Sequence, residues 1–147
     1  HLKRTFTYFF KDGFGYPAIL KANKIKNNFS LGNTKELVKF KSIVVEHGKI
    51  NSIGYIFNNS AYISDCNGLS KSNIKKLQNL KYFIIDCLRF KLHPSHFTLR
   101  EVLNVVKLIK PKKTILTNLH SDLDYSILLK KIPINVKPAF DGLKIQL

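Results

Sequence analysis

Four side chains able to bind metal or move protons stand just beyond short apolar runs of this chain. His47 ends SIVVEH, Asp65 follows AYIS, His96 lies past YFIIDCLRF, and His120 follows TILTN. Imidazole and carboxylate donors at strand ends are the parts of a metal-dependent hydrolytic site, and open α/β sheets place such sites at the carboxyl ends of their strands. A carboxylate also has two oxygens and can bridge two cations. The donor set is short, because catalytic zinc takes three protein ligands per ion. The residues therefore read as part of a site rather than a whole one.

Each position has its own logic. His47 precedes Gly48, where the backbone can turn sharply; a lone histidine there also reads as a simple turn residue. Asp65 opens DCNG, which is turn chemistry as well as a strand mouth. Asp86, inside an apolar run, reads as a structural acceptor behind the site. In His93-Pro94-Ser95-His96, the proline holds His93 extended. His96 then falls ahead of a helix whose positive end favours the neutral imidazole, suited to contacting a phosphate oxygen or protonating a leaving group. Asn118 and His120 are two apart, so both point the same way if strand geometry continues past KTILT. Asp122 and Asp124 read as caps of the next helix.

The elements that must position these groups follow from apolar spacing. Residues 1–10 suit one face of a short helix, and KDGFGYP is a turn. AILKANKI, KNNFSLGN and KFKSIVVEHG read as strands, followed by NSIGYIF and SAYIS joined through Asn58-Asn59. Ser70 caps a helix reaching Leu80. KYFIIDCL is a strand covered on both faces. Thr98-Leu99-Arg100-Glu101 is a capping box, with Leu99, Val102, Leu103, Val106 and Ile109 as the buried stripe and Pro111 as the stop. A buried strand over 113–117, a helix over 124–131 and an edge strand over 143–147 complete an α/β layered chain.

Composition narrows the partners. The 147 residues suffice for one domain with a real core. No apolar run is long enough to cross a membrane, and no leader is visible, so a cytoplasmic location is expected. Cys66 and Cys87 form no metal or CxxC pattern and read as buried thiols in a reducing compartment. The net charge of +16 invites a nucleic-acid reading. Yet 22 of the 25 basic residues are lysines scattered along the chain, and arginine is the usual reader of bases and phosphates. A solvated lysine-rich surface is the reading preferred; a basic nucleic-acid-binding domain is the lesser alternative.

Taken together, HGKINSIGYIF, AYISDCNGLS, YFIIDCLRFKLHPSHFTLREVL, TILTNLHSDLDY and PAFDGLKI resemble the C-terminal half of a metallo-β-lactamase-fold hydrolase, in the branch of the phosphonate-pathway cyclic phosphodiesterase. The resemblance covers nearly the whole chain. It implies one partial domain, 1–147, forming the C-terminal half of an αββα sandwich and lacking the HxHxDH half that supplies most ligands. It implies that His47 is a metal ligand, that Asp65 bridges two ions, and that His96 contacts phosphate or aids the leaving group without binding metal. The family's final ligand is a histidine after the last strand. Asn118 stands there in this chain, and His120 is the favoured substitute. The complete enzyme would use two divalent ions, Zn or Mn, to activate water against a small phosphodiester. The half alone would bind metal weakly or not at all, expose one sheet face, and need the missing half in trans. A degenerate, non-catalytic remnant is the alternative.

Overall fold

The computed structural model describes residues 1–13 and 15–146. Seven strands form one sheet: β1 (Asn28–Gly32), β2 (Leu37–His47), β3 (Ile50–Phe57), β4 (Ser60–Ile63), β5 (Tyr82–Asp86), β6 (Lys113–Thr117) and β7 (Val136–Pro138). Their order in the sheet is their order in the chain. The first four are antiparallel neighbours, and β4 to β7 are parallel. Between the parallel strands lie α3 (Lys71–Lys76), α4 (Leu99–Ile109) and α5 (Tyr125–Lys131); α1 (Leu2–Thr5) and α2 (Thr7–Phe10) precede the sheet. The expected meander followed by β/α alternation is what forms.

Register explains which face is covered. Ile43 pairs with Gly54, and a side-chain carbon on Gly54 would meet Ile63 at 2.8 Å and Ile43 at 3.2 Å, so glycine leaves room for close packing there. On the same face, Ala61, Phe83, Thr114 and Val136 stand in one row and Ile63, Ile85 and Leu116 in the next. These join Leu77, Leu99, Val102, Val106, Ile109 and Leu128 in a single core. Each fully buried aliphatic side chain contributes about 1.5–3 kcal/mol. The capping box at Thr98 forms as the spacing predicts, the Thr98 hydroxyl accepting from the Glu101 amide while the Glu101 carboxylate accepts from the Thr98 amide.

Among the described residues the other face has no such cover. Val44, Ile53 and Tyr62 point there and are exposed. Tyr82 and Ile84 are only half-buried, so β5 is not shielded on both sides as its unbroken apolar run suggests. Other expectations also shift. Residues 1–10 break into two short helices at Phe6, whose φ of −116° is not helical. Residues 18–25 form no strand, because no ladder partner lies beside them. The edge strand is β7 rather than 143–147: residues 143–146 are irregular, and Leu147 lies outside the described residues. Among the described residues no helix is long and apolar enough to cross a membrane.

Candidate metal centre

Because β3 runs antiparallel to both neighbours, β2 and the parallel strands end at the same edge of the sheet. His47 closes β2, Asp65 lies two residues past β4, Asp86 closes β5, and Asn118 follows β6 directly. His96 comes from the loop between β5 and α4. Its neighbour Phe97 is pinned by backbone bonds, donating to the Cys66 carbonyl and accepting from the Leu88 amide, each at 2.9 Å.

Three of the expected residues meet. One donor atom from each of His47, Asp65 and His96 lies within 4.8 Å of the other two, and all three side chains are half-buried. The two imidazole rings stand edge to face, 4.7 Å between centroids. Both are held from behind. His47 Nδ1 donates to the Ser95 carbonyl at 2.8 Å, and His96 Nδ1 donates to Asp86 Oδ2 at 2.7 Å. A carbonyl oxygen can only accept, so the His47 proton sits on Nδ1 and the Nε2 lone pair is free. Asp65 Oδ2 accepts from the Ser64 hydroxyl at 2.8 Å, leaving Oδ1 for a ligand.

Asp86 is fully buried and serves three loops at once. Besides His96, its oxygens accept from the Cys66 amide at 3.2 Å and the Asn118 side-chain amide at 3.0 Å. Burial pushes its carboxyl up from the ordinary carboxylate value, and the bonds from His96, Asn118 and Cys66 pull back. Three donors are thus aimed at its two oxygens. Asn67 is a second organiser, which its place in the DCNG turn conceals. Its Oδ1 accepts from the Gly48 amide at 2.9 Å, and its Nδ2 donates to the Pro94 carbonyl at 3.0 Å, joining the loops that carry His47 and His96.

The strand geometry expected to align Asn118 with His120 stops at Thr117. Asn118 has φ of +58°, a left-handed conformation that breaks the alternation. Its amide therefore turns in toward Asp86, whereas the exposed His120 ring pairs with Asp122 at 3.0 Å. The three-donor cluster does not include His120. Asp124, not Asp122, caps α5, accepting from the Ile127 amide at 2.9 Å.

Comparison with solved structures fits this geometry. A diphosphatase from the PhnP family matches 99% of this chain and 54% of its own, at 27% identity and a TM-score of 0.85. The metallo-β-lactamase fold protein YhfI from Bacillus subtilis matches 96% of this chain and 61% of its own, at 15% identity and a TM-score of 0.68. The chain is half of a metallo-β-lactamase fold. Human tRNase Z, short form, shares the half fold over 82% of this chain and 47% of its own, at 18% identity and a TM-score of 0.57. By sequence, an octanoyltransferase of Porphyromonas gingivalis is 26% identical over 103 residues, which are 68% of this chain but 21% of that protein. The matched stretch is about a fifth of the protein that bears that name. No protein-family model matches. The chain thus spans about half the length of the solved structures it resembles.

Proposed function

We propose that the chain supplies the C-terminal half of a dinuclear metal hydrolase acting on phosphodiesters, complete only with an HxHxDH-bearing half. The observation that carries this reading is the meeting of His47, Asp65 and His96 at one sheet edge. The likeness to a PhnP-family diphosphatase supports the phosphorus chemistry. Two imidazoles and a carboxylate form a borderline donor set that suits Zn or Mn. Bound there, such ions lower the pKa of water and offset charge developing on the phosphoryl oxygens.

The chain's own residues have distinct parts in this reading. Asp65 would serve as the carboxylate shared between the ions, and His47 would hold one of them through Nε2. With Asp86 behind its Nδ1, His96 would take up a second proton at Nε2 and so hydrogen-bond a phosphate oxygen or give that proton to the leaving oxygen. The last ligand place falls to Asn118 or His120, and the inward turn of Asn118 toward Asp86 favours Asn118. The exposed face with Val44, Ile53 and Tyr62 suits a second sheet delivered in trans, and an exposed apolar patch is an ordinary mark of such an interface. Asparagine in that last place also supports a second reading, a remnant that keeps the fold without turnover.

Hydrolysis of bis(p-nitrophenyl) phosphate by the two halves mixed with Mn or Zn tests the proposal. Turnover that vanishes with Asp65→Ala is the expected result. Near-normal rates in that variant would remove Asp65 from its bridging role. Absence of turnover in the metal-loaded wild-type pair would favour the remnant.

A further inference from the structure

We infer that this half, with no second half present, holds one divalent transition-metal ion on His47 Nε2, an Asp65 oxygen and His96 Nε2. The inference rests on the metal reading above and gives His96 a part outside the bare likeness, that of a ligand in the separate chain.

The argument starts from proton placement. A histidine binds metal through a nitrogen bearing a lone pair, and the other ring nitrogen then needs an acceptor for its proton. Both rings already have that acceptor. His47 Nδ1 faces a backbone carbonyl at 2.8 Å, and His96 Nδ1 faces the buried Asp86 carboxylate at 2.7 Å. Neither acceptor is free to drift. The Ser95 carbonyl lies in a loop tied by Asn67 to Pro94 and Gly48, and Asp86 is held by the Cys66 amide and Asn118. Both Nε2 atoms are thus left as acceptors. One donor atom from each of the three residues lies within 4.8 Å of the other two, so the three side chains would close on an ion to reach the ~2.0–2.2 Å typical of Zn–N and Zn–O bonds. A His-His-carboxylate set with an open fourth position is a known zinc arrangement.

Asn118 fits the same picture. As a neutral amide it donates to Asp86 Oδ1 and leaves Oδ2 to His96. A carboxylate behind a ligating histidine raises the basicity of the ring and sets its orientation. His96 then has two states. In the separate chain its Nε2 lone pair completes three ligands; when another half brings its own ligands, that nitrogen is released to take up a proton and face substrate as a donor.

Two measurements on the chain alone test this. Long-range proton–nitrogen NMR of the metal-free chain should show His47 and His96 protonated at Nδ1; Nε2–H tautomers on both would overturn the inference. Titration with Co(II), followed by visible absorption and by competition with a chelator, should give one ion per chain. His96→Ala and Asp86→Asn should each weaken binding about 10–100-fold, the usual effect of losing a ligand's supporting partner or more. His120→Ala should bind as wild type. Circular dichroism of each variant separates misfolding from a lost ligand. Wild-type affinity in a folded His96→Ala chain, two ions per chain, or no binding at millimolar Co(II) would each sink the inference. A one-to-one ion with no hydrolysis by the assembled pair would leave this site standing and remove the hydrolase reading instead.

Discussion

Replacing Gly48 by alanine tests how tightly the turn after β2 is coupled to the metal centre. Gly48 has φ of +62°, where an alanine side chain costs about 1–2 kcal/mol. Part of that is offset, by about 0.4–1 kcal/mol, because alanine restricts the unfolded chain. The added carbon also meets Ser95 Cβ at 3.0 Å and the Pro94 carbonyl oxygen at 3.3 Å. Both contacts lie in the segment whose Ser95 carbonyl fixes the His47 proton. Pushing a packed segment aside costs about 1–3 kcal/mol, so the total loss should be about 2–3 kcal/mol in urea unfolding. Co(II) retention should fall about tenfold as the carbonyl moves off His47. Gly13→Ala is the control: nothing lies within 4 Å of its added carbon, and it should be neutral or slightly stabilising. Equal urea midpoints and equal metal retention for Gly48→Ala and Gly13→Ala would refute the coupling.

Two further outcomes follow from features away from the ligands. Thr98→Ala removes one half of the capping box of α4 and should cost about 1–2 kcal/mol in urea unfolding; a loss under about 0.5 kcal/mol would mean that the Glu101 carboxylate alone holds that turn. Cys66 and Cys87 are fully buried, and burial pushes both thiols up to about 12 from 9.0. The native chain should therefore resist thiol reagents at pH 8, and both cysteines should react once it is unfolded. Keeping the thiols neutral adds stability that is full below pH 9.0 and is lost as the pH rises toward 12, because the unfolded chain releases those protons first. Fast labelling of the native chain would contradict the burial.

Much of this was legible in the sequence, for a physical reason. His47, Asp65 and His96 each follow an apolar run, and strands whose carboxyl ends share a sheet edge must bring such residues together. The polar residue within YFIIDCL pointed to Asp86 as an acceptor, since a carboxylate is tolerated in a buried strand only with partners. The misses share a different cause. Asn118 leaves the strand through a left-handed φ, which no alternation rule shows, so Asn118 turns toward Asp86 while the exposed His120 pairs with Asp122. AILKANKI has strand composition, but strand composition without a neighbouring strand gives irregular chain. Val136–Pro138 was hidden by its shortness and its proline, a residue tolerated at a sheet edge, where β7 lies. Asn67 was hidden because an asparagine in a turn is usually explained by the turn alone.

The agreement between strand order and chain order has a consequence for how the sheet is specified. Every ladder in this sheet joins strands adjacent in sequence, and no foreign strand separates them. Among the described residues, all six ladders of the sheet therefore lie within 28–138. The loop closures needed to build the sheet are set by the spacing between successive strands, which limits the entropy lost in closing them. One continuous stretch of sequence thus specifies every pairing of this sheet, and each strand finds its partner in the next strand along.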